Sequence, residues 1–170
     1  MPGSAVANSI TLNGGVLQAT GTVTLDANRG INITSNSGLA ATPGNVLTVN
    51  GVVDGNFALI INGASQTGTV VLAGTNTYSG ATTVSAGTLN ITNGSGLGAT
   101  SAGVTVSSGA TLDLINVVVG AEAITLNGGT LADSTSSLAG DVTLTANSTI
   151  SVTNSAYIFT ISGIISGALS

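Results

Sequence analysis

Ser9-Ile-Thr-Leu-Asn-Gly-Gly-Val-Leu17 returns far downstream as Ala123-Ile-Thr-Leu-Asn-Gly-Gly-Thr-Leu131. Each copy alternates apolar and polar residues, turns at Asn-Gly-Gly, and resumes the alternation. Period two puts apolar side chains on one side of an extended strand and polar ones on the other. Asn and Gly accept the positive φ of a sharp corner at little cost. Two further echoes keep the order: Val23-Thr-Leu-Asp-Ala-Asn28 with Val142-Thr-Leu-Thr-Ala-Asn147, and Leu47-Thr-Val-Asn-Gly-Val-Val-Asp-Gly55 with Phe159-Thr-Ile-Ser-Gly-Ile-Ile-Ser-Gly167. The offsets are 114, 119 and 112 residues, so the spacing drifts while the order holds. Insertions at solenoid corners produce such drift, because a loop lengthens without disturbing the ladder. The chain therefore reads as all-β, a right-handed parallel β-helix (β-solenoid). With about 20 residues per coil and ~4.8 Å between coils, it should make about eight coils and a rod near 40 Å long.

Working outward, the same alternation recurs in short runs such as Ile31-Asn-Ile33, Val104-Thr-Val106, Leu112-Asp-Leu114 and Ile150-Ser-Val152, and no segment shows a helical stripe. Asn-Gly corners at Asn50-Gly51, Asn62-Gly63 and Asn93-Gly94 punctuate them. Asn-Gly is also a hairpin signal, which would build an antiparallel sandwich. Sandwich strands usually run about five or six residues or more, longer and more widely spaced than these. The whole of 1–170 thus reads as one solenoid segment: a repeat unit at 9–55, a middle segment at 56–122, and a second copy of the first unit at 123–167. The first twenty residues hold no basic segment and no unbroken apolar run, so no signal peptide is expected there. The closing Gly167-Ala-Leu-Ser170 comes where the middle segment would begin anew, as in a window cut from a longer array.

Composition narrows the function. Charged residues are 4% of the chain: Asp26, Asp54, Asp113, Glu122, Asp133 and Asp141 against Arg29, with no Lys, His or Cys. Ordinary soluble domains carry about a quarter, so Thr, Ser, Asn and Gly must keep this surface wet. A net charge of −5 with one cation repels nucleic acid and anionic membranes, so neither is an expected partner. Apolar runs such as Phe57-Ala-Leu-Ile-Ile61 fall far short of the ~20 residues of a membrane helix, so no membrane insertion is expected.

The middle segment carries the most specific pattern: Gly68-Thr-Val-Val-Leu-Ala-Gly74, Thr75-Asn-Thr-Tyr-Ser-Gly80, Ala81-Thr-Thr-Val-Ser-Ala-Gly-Thr-Leu89 and Gly103-Val-Thr-Val-Ser-Ser-Gly-Ala-Thr-Leu-Asp-Leu114. Residues 68–114 closely resemble the autotransporter-associated β-strand repeat of bacterial surface passenger domains. The matching features are Leu72, Gly74, Asn76-Thr77-Tyr78, Gly80, Thr82, Val84, Gly87-Thr88-Leu89 and the following Val-x-x-Gly-Ala-x-Leu. The resemblance implies a parallel β-helical passenger exported to the cell surface, as part of a larger protein, and serving as adhesin, stalk or scaffold. The translocating β-barrel that completes an autotransporter is absent from these residues. On physical grounds alone, Leu72, Val84, Leu89, Val104, Leu112 and Leu114 should point inward and Thr82, Thr88 and Thr105 outward.

No chemistry emerges with equal force. Without His or Cys there is no imidazole metal site and no nucleophilic triad. Asp113, Asp133 and Asp141 approach one another if they fall on successive coils, and a carboxylate pair is the minimum for glycoside hydrolysis; solvated turns are the expected placement. The Gly-Gly-x-Gly-x-Asp calcium nonapeptide does not occur. Thr22-Val-Thr24, Thr75-Asn-Thr77 and Thr143-Leu-Thr145 are spaced too irregularly to force a flat ice-binding array. Tyr78, Tyr157, Phe57 and Phe159 are expected to fill a core or seal a corner before they stack on sugar. Chance explains the acceptor-like Asn32-Ile-Thr34, Asn90-Ile-Thr92, Asn93-Gly-Ser95 and Asn147-Ser-Thr149. Gly74, Gly80 and Gly87 read as corners. The expectation is a structural or adhesive passenger segment, not an enzyme, with no catalytic, cofactor-binding or metal residues. Its partners would be a host or surface ligand, or further copies through open solenoid ends. The alternatives are a fibre subunit stacking head to tail and a polysaccharide-binding or polysaccharide-cleaving β-helix.

Overall fold

Runs of three to five alternating residues are too short to bury a face alone, and here each does so against the runs one coil before and after. The computed structural model describes residues 6–153 and 155–167. All pairing between its strands is parallel, arranged on three faces. The first face stacks Val16–Ala19, Ser37–Ala41, Leu59–Ile61, Thr82–Val84, Val104–Ser107, Ile124–Asn127, Val142–Leu144 and Ile165–Gly167. The second stacks Val23–Leu25, Val46–Val49, Thr69–Leu72, Thr88–Ile91, Thr111–Ile115, Thr130–Ser134 and Thr149–Val152. The eight strands of the first face bound seven full turns and open an eighth. Register partners such as Ile124 and Val142, or Val23 and Leu47, show how far the coil length varies, and the corners absorb the difference.

The third face carries strands only toward its two ends. Val6–Asn13, Arg29–Ser35 and Val53–Gly55 pair at one end, and Val118–Val119, Ser137–Leu138 and Thr160–Ile161 at the other. Between them the chain continues without regular strand. The Thr77 and Tyr78 amides both donate to the Val53 carbonyl, and the Ala99 amide donates to the Tyr78 carbonyl.

The core forms columns running down the rod. On the second face Leu47, Val70, Leu89, Leu112 and Leu131 stand in register, each buried. Leu72, Val84, Leu89, Val104, Leu112 and Leu114 all point inward as expected. Thr88 and Thr105 are half-exposed, but Thr82 is buried. It stands in register between the inward residues Leu59 and Val104, and its hydroxyl meets the Tyr78 phenol at 2.8 Å. A buried hydroxyl is tolerable when it is bonded.

The echoed sequences occupy different faces. Ile10-Thr-Leu12 lies on the third face and Ile124-Thr-Leu126 on the first; Leu47-Thr-Val49 lies on the second, and Thr160–Ile161 of its echo on the third. What repeats is a strand–corner–strand fragment that any edge of a three-faced coil can use.

Candidate functional site

The middle segment holds an internal polar network where the third face loses its strands. Asn76 is buried; its Oδ1 accepts from the Val53 amide at 2.9 Å and its Nδ2 donates to the Gly96 carbonyl at 2.7 Å. One side-chain amide thus replaces the ladder across two coil boundaries, satisfying backbone groups whose burial would otherwise be costly. Asn62, buried with φ +52°, does the same between neighbouring coils: Oδ1 accepts from the Ala41 amide at 2.8 Å, and Nδ2 donates to the carbonyls of Gly68 and Ala86 at 2.9 and 3.2 Å. The Tyr78 ring lies fully inside the solenoid beside these irregular coils. Burial raises its phenol pKa well above the ordinary value; the Thr82 hydrogen bond offsets part of this and nearby Glu122 adds to it. Gly74 permits the close stacking, since a Cβ there would lie 2.3 Å from the Gly51 carbonyl oxygen.

The acids do not form the expected solvated set. Ala132 is the register partner of Asp113, so Asp133, the next residue, faces the opposite side of the sheet, in the inward column with Leu114. Asp133 is fully buried, and its Oδ2 accepts from the Thr135 amide at 3.0 Å, holding a corner where Thr135 has φ +66°. Asp113 is half-buried on the outer side, its carboxyl pKa raised by burial and then by the Asp133 charge. Asp141 sits exposed at a corner, accepting from the Ile164 amide. Because Asp113 and Asp133 project from opposite sides of one sheet, they do not straddle a common bond as a glycosidase pair must. Glu122 is buried too, and burial pushes its carboxyl from an ordinary 4.5 to about 7. The solvated-turn expectation therefore fails for Asp133, whose short side chain serves the corner from within.

Of the aromatics, Tyr78 is core, Phe159 packs partly against it, and Phe57 and Tyr157 are exposed without forming a common patch. The first face also carries a shallow groove of about 230 Å³ near its start, where Gly38 and Ala40 leave a dip between Val16 and Ile60.

The outer faces are ordered by register. On the first face Thr83, Thr105, Thr125 and Thr143 form one outward column, followed by Ser166. Two residues further on, Ser107 and Asn127 are register partners, and Ser85 and Thr145 follow directly on the ends of their strands. On the second face Thr69, Thr88, Thr111, Thr130 and Thr149 form another column. Beside it run Val71, Asn90, Asp113, Ala132 and Ser151. The three Thr-x-Thr triplets fall on different parts of the coil, Thr24 on the second face, Thr143 on the first and Thr75-Asn-Thr77 outside the strands. On the first face only Thr143-Leu-Thr145 of the three triplets takes part, the other rows being Thr-x-Ser and Thr-x-Asn, while Thr24 stands on the second face in register with Thr48 and Val71. Sequence spacing hid these columns because unequal corners bring the strands into register in space.

Residues 65–91 match the passenger-associated-transport-repeat family. They span the second-face strands Thr69–Leu72 and Thr88–Ile91 with Asn76, Tyr78 and Thr82 between them. Over 100 residues, 57% of this chain, the sequence is 33% identical to an adhesin BmaC autotransporter of Brucella suis biovar 1 (strain 1330), and the aligned stretch covers 3% of that protein. No solved structure matches. The chain carries a repeat of the autotransporter passenger type.

Proposed function

We propose that this chain is a structural and adhesive passenger segment, displayed on a bacterial surface as part of a larger exported protein, and that it is not an enzyme. The coincidence of the passenger-type repeat at 65–91 with the Asn76–Tyr78–Thr82 network carries this reading. The buried polar residues of this repeat, Asn76, Tyr78 and Thr82, are spent on closing coils, leaving the outer faces to meet a partner. The few charges favour contact through hydroxyl and amide groups over ion pairing. Intact cells expressing the parent gene should yield this segment to an external antibody, and beads coated with the purified chain should adhere to a host-matrix or glycan panel. Release of reducing ends from any polysaccharide would instead make it a catalyst.

A further inference from the structure

Five Asn-Gly steps turn corners of this rod, and they differ in what holds them. An asparagine followed by glycine can modify itself. The glycine amide nitrogen attacks the asparagine side-chain carbonyl carbon, Cγ; the Cγ–Nδ2 bond breaks, ammonia leaves, and a five-membered succinimide closes. Water then opens one of the two ring carbonyls, giving aspartate or, with one more methylene in the main chain, isoaspartate. Glycine permits the approach because it carries no Cβ. Two things oppose it: a hydrogen bond that holds the glycine amide, and bonds that hold the asparagine side chain.

Four of the steps are held. The Gly14 amide donates to Ser37 Oγ and the Gly128 amide to Ser148 Oγ, each at 3.1 Å. Asn62 is bonded through Oδ1 and Nδ2, and the Gly63 amide donates to Gln66 Oε1. Asn93 Oδ1 accepts from the Ser95 amide while its Nδ2 donates to the Ala73 carbonyl and the Thr75 hydroxyl. Asn50-Gly51 is different. The Asn50 side chain, half-exposed just past the end of its strand, makes no hydrogen bond among the described residues. Gly51 is buried, where an amide is nearly always paired, yet its N–H donates to no group among them. The same corner has no room for a longer main chain. A Cβ on Gly51 would lie 1.9 Å from the Arg29 carbonyl oxygen, and one on Gly74 2.3 Å from the Gly51 carbonyl oxygen, so three coils stack backbone on backbone here. Two residues on, Val53 enters register with Ile31. We infer that Asn50-Gly51 is a self-modification site, at which the Gly51 nitrogen and water convert Asn50 to aspartate and isoaspartate, and that the isoaspartyl product forces the Val53 strand out of register with the coil before it.

The conversion is independent of the adhesive reading and is tested separately. Incubated at mildly alkaline pH, the full chain should release ammonia and gain the mass of a single amide-to-acid change, carried by the proteolytic peptide that holds Asn50. An isoaspartate-specific methyltransferase should label the same peptide. Asn50→Ser should fold like the parent, because the side chain it replaces bonds nothing, and should lose the conversion. Asn50→Gln, whose ring would need six members, should lose most of it. The isoaspartyl form, once separated, should melt below the aspartyl form and below Asn50→Asp, which carries the new charge without the added methylene. Absence of conversion at Asn50, earlier conversion at Asn13, Asn62, Asn93 or Asn127, an undiminished mass gain in Asn50→Ser, or an isoaspartyl form that melts with the aspartyl one would overturn the assignment.

Discussion

Val142 and Ile165 stand in one column of the first face, one coil apart, and Leu131 and Ile150 stand likewise on the second. The first member of each pair is 0% exposed; the second is 53% and 38% exposed. Sequence, strand and inward direction are alike, and only the presence of a following coil differs. Burial in this molecule is thus lent by the neighbour, and stability should fall from the middle coils toward the last one, as expected of a nearest-neighbour solenoid.

The contrast is broken most directly by truncating one side chain in each region. Leu112→Ala, in the covered middle, should cost about 2–5 kcal/mol, whereas Ile165→Ala should stay within about 0.5 kcal/mol; urea unfolding of the two variants would show it. Equal costs would mean that the last coil is held by something other than its neighbour. Next in size is Asn76→Ala, which leaves the Val53 amide and the Gly96 carbonyl without their side-chain partner. It should cost about 2–4 kcal/mol, with amide exchange accelerating at Val53, while Asn147→Ala on the exposed surface should do neither.

Glu122 supplies a pH-dependent version of the same contrast. Its carboxyl titrates near 7 in the folded chain against 4.5 ordinarily. Below about pH 4.5 the group is neutral in both states and costs nothing. As pH rises toward 7 the unfolded state ionises first, so stability declines across that window and then levels. Glu122→Gln should remove this decline and stabilise the chain above pH 7 by about 1–3 kcal/mol, as thermal melts at pH 4 and pH 8 would reveal. The smallest effect is expected from Tyr78→Phe. It keeps the ring that fills the core and removes the partner of the buried Thr82 hydroxyl, for a loss of about 1 kcal/mol, measurable as a lowered Tm.

Much of this architecture is legible in the sequence, because a sheet face has period two and the apolar positions obey it: Leu72, Leu89, Leu112 and Leu114 fell inward where alternation put them. Corners were legible too, with Gly14 and Gly128 at positive φ in the two Asn-Gly-Gly echoes. What alternation could not reveal is where an inward position takes a polar residue. Asn62 reads as a turn residue and Asn76 only as part of the passenger-type pattern; both are interior, where their side-chain amides reach backbone groups of neighbouring coils. Asp133 followed the same logic at a corner. The threonine columns were hidden for a different reason, since register across seven turns depends on every corner length. The passenger-type pattern pointed at the right stretch, and only coordinates gave the reason that Asn, Tyr and Thr sit together in it.

All of this assumes parallel coils stacked in register, and the absence of cysteine allows that to be measured cleanly. Spin labels placed on Thr83 and, in turn, on Thr105, Thr125, Thr143 and Ser166 through cysteine substitutions should report separations growing by about 4.8 Å per step. A set of distances that fails to grow in order, or that brings Thr83 closer to Thr143 than to Thr105, would contradict the fold and the surface assignments built on it.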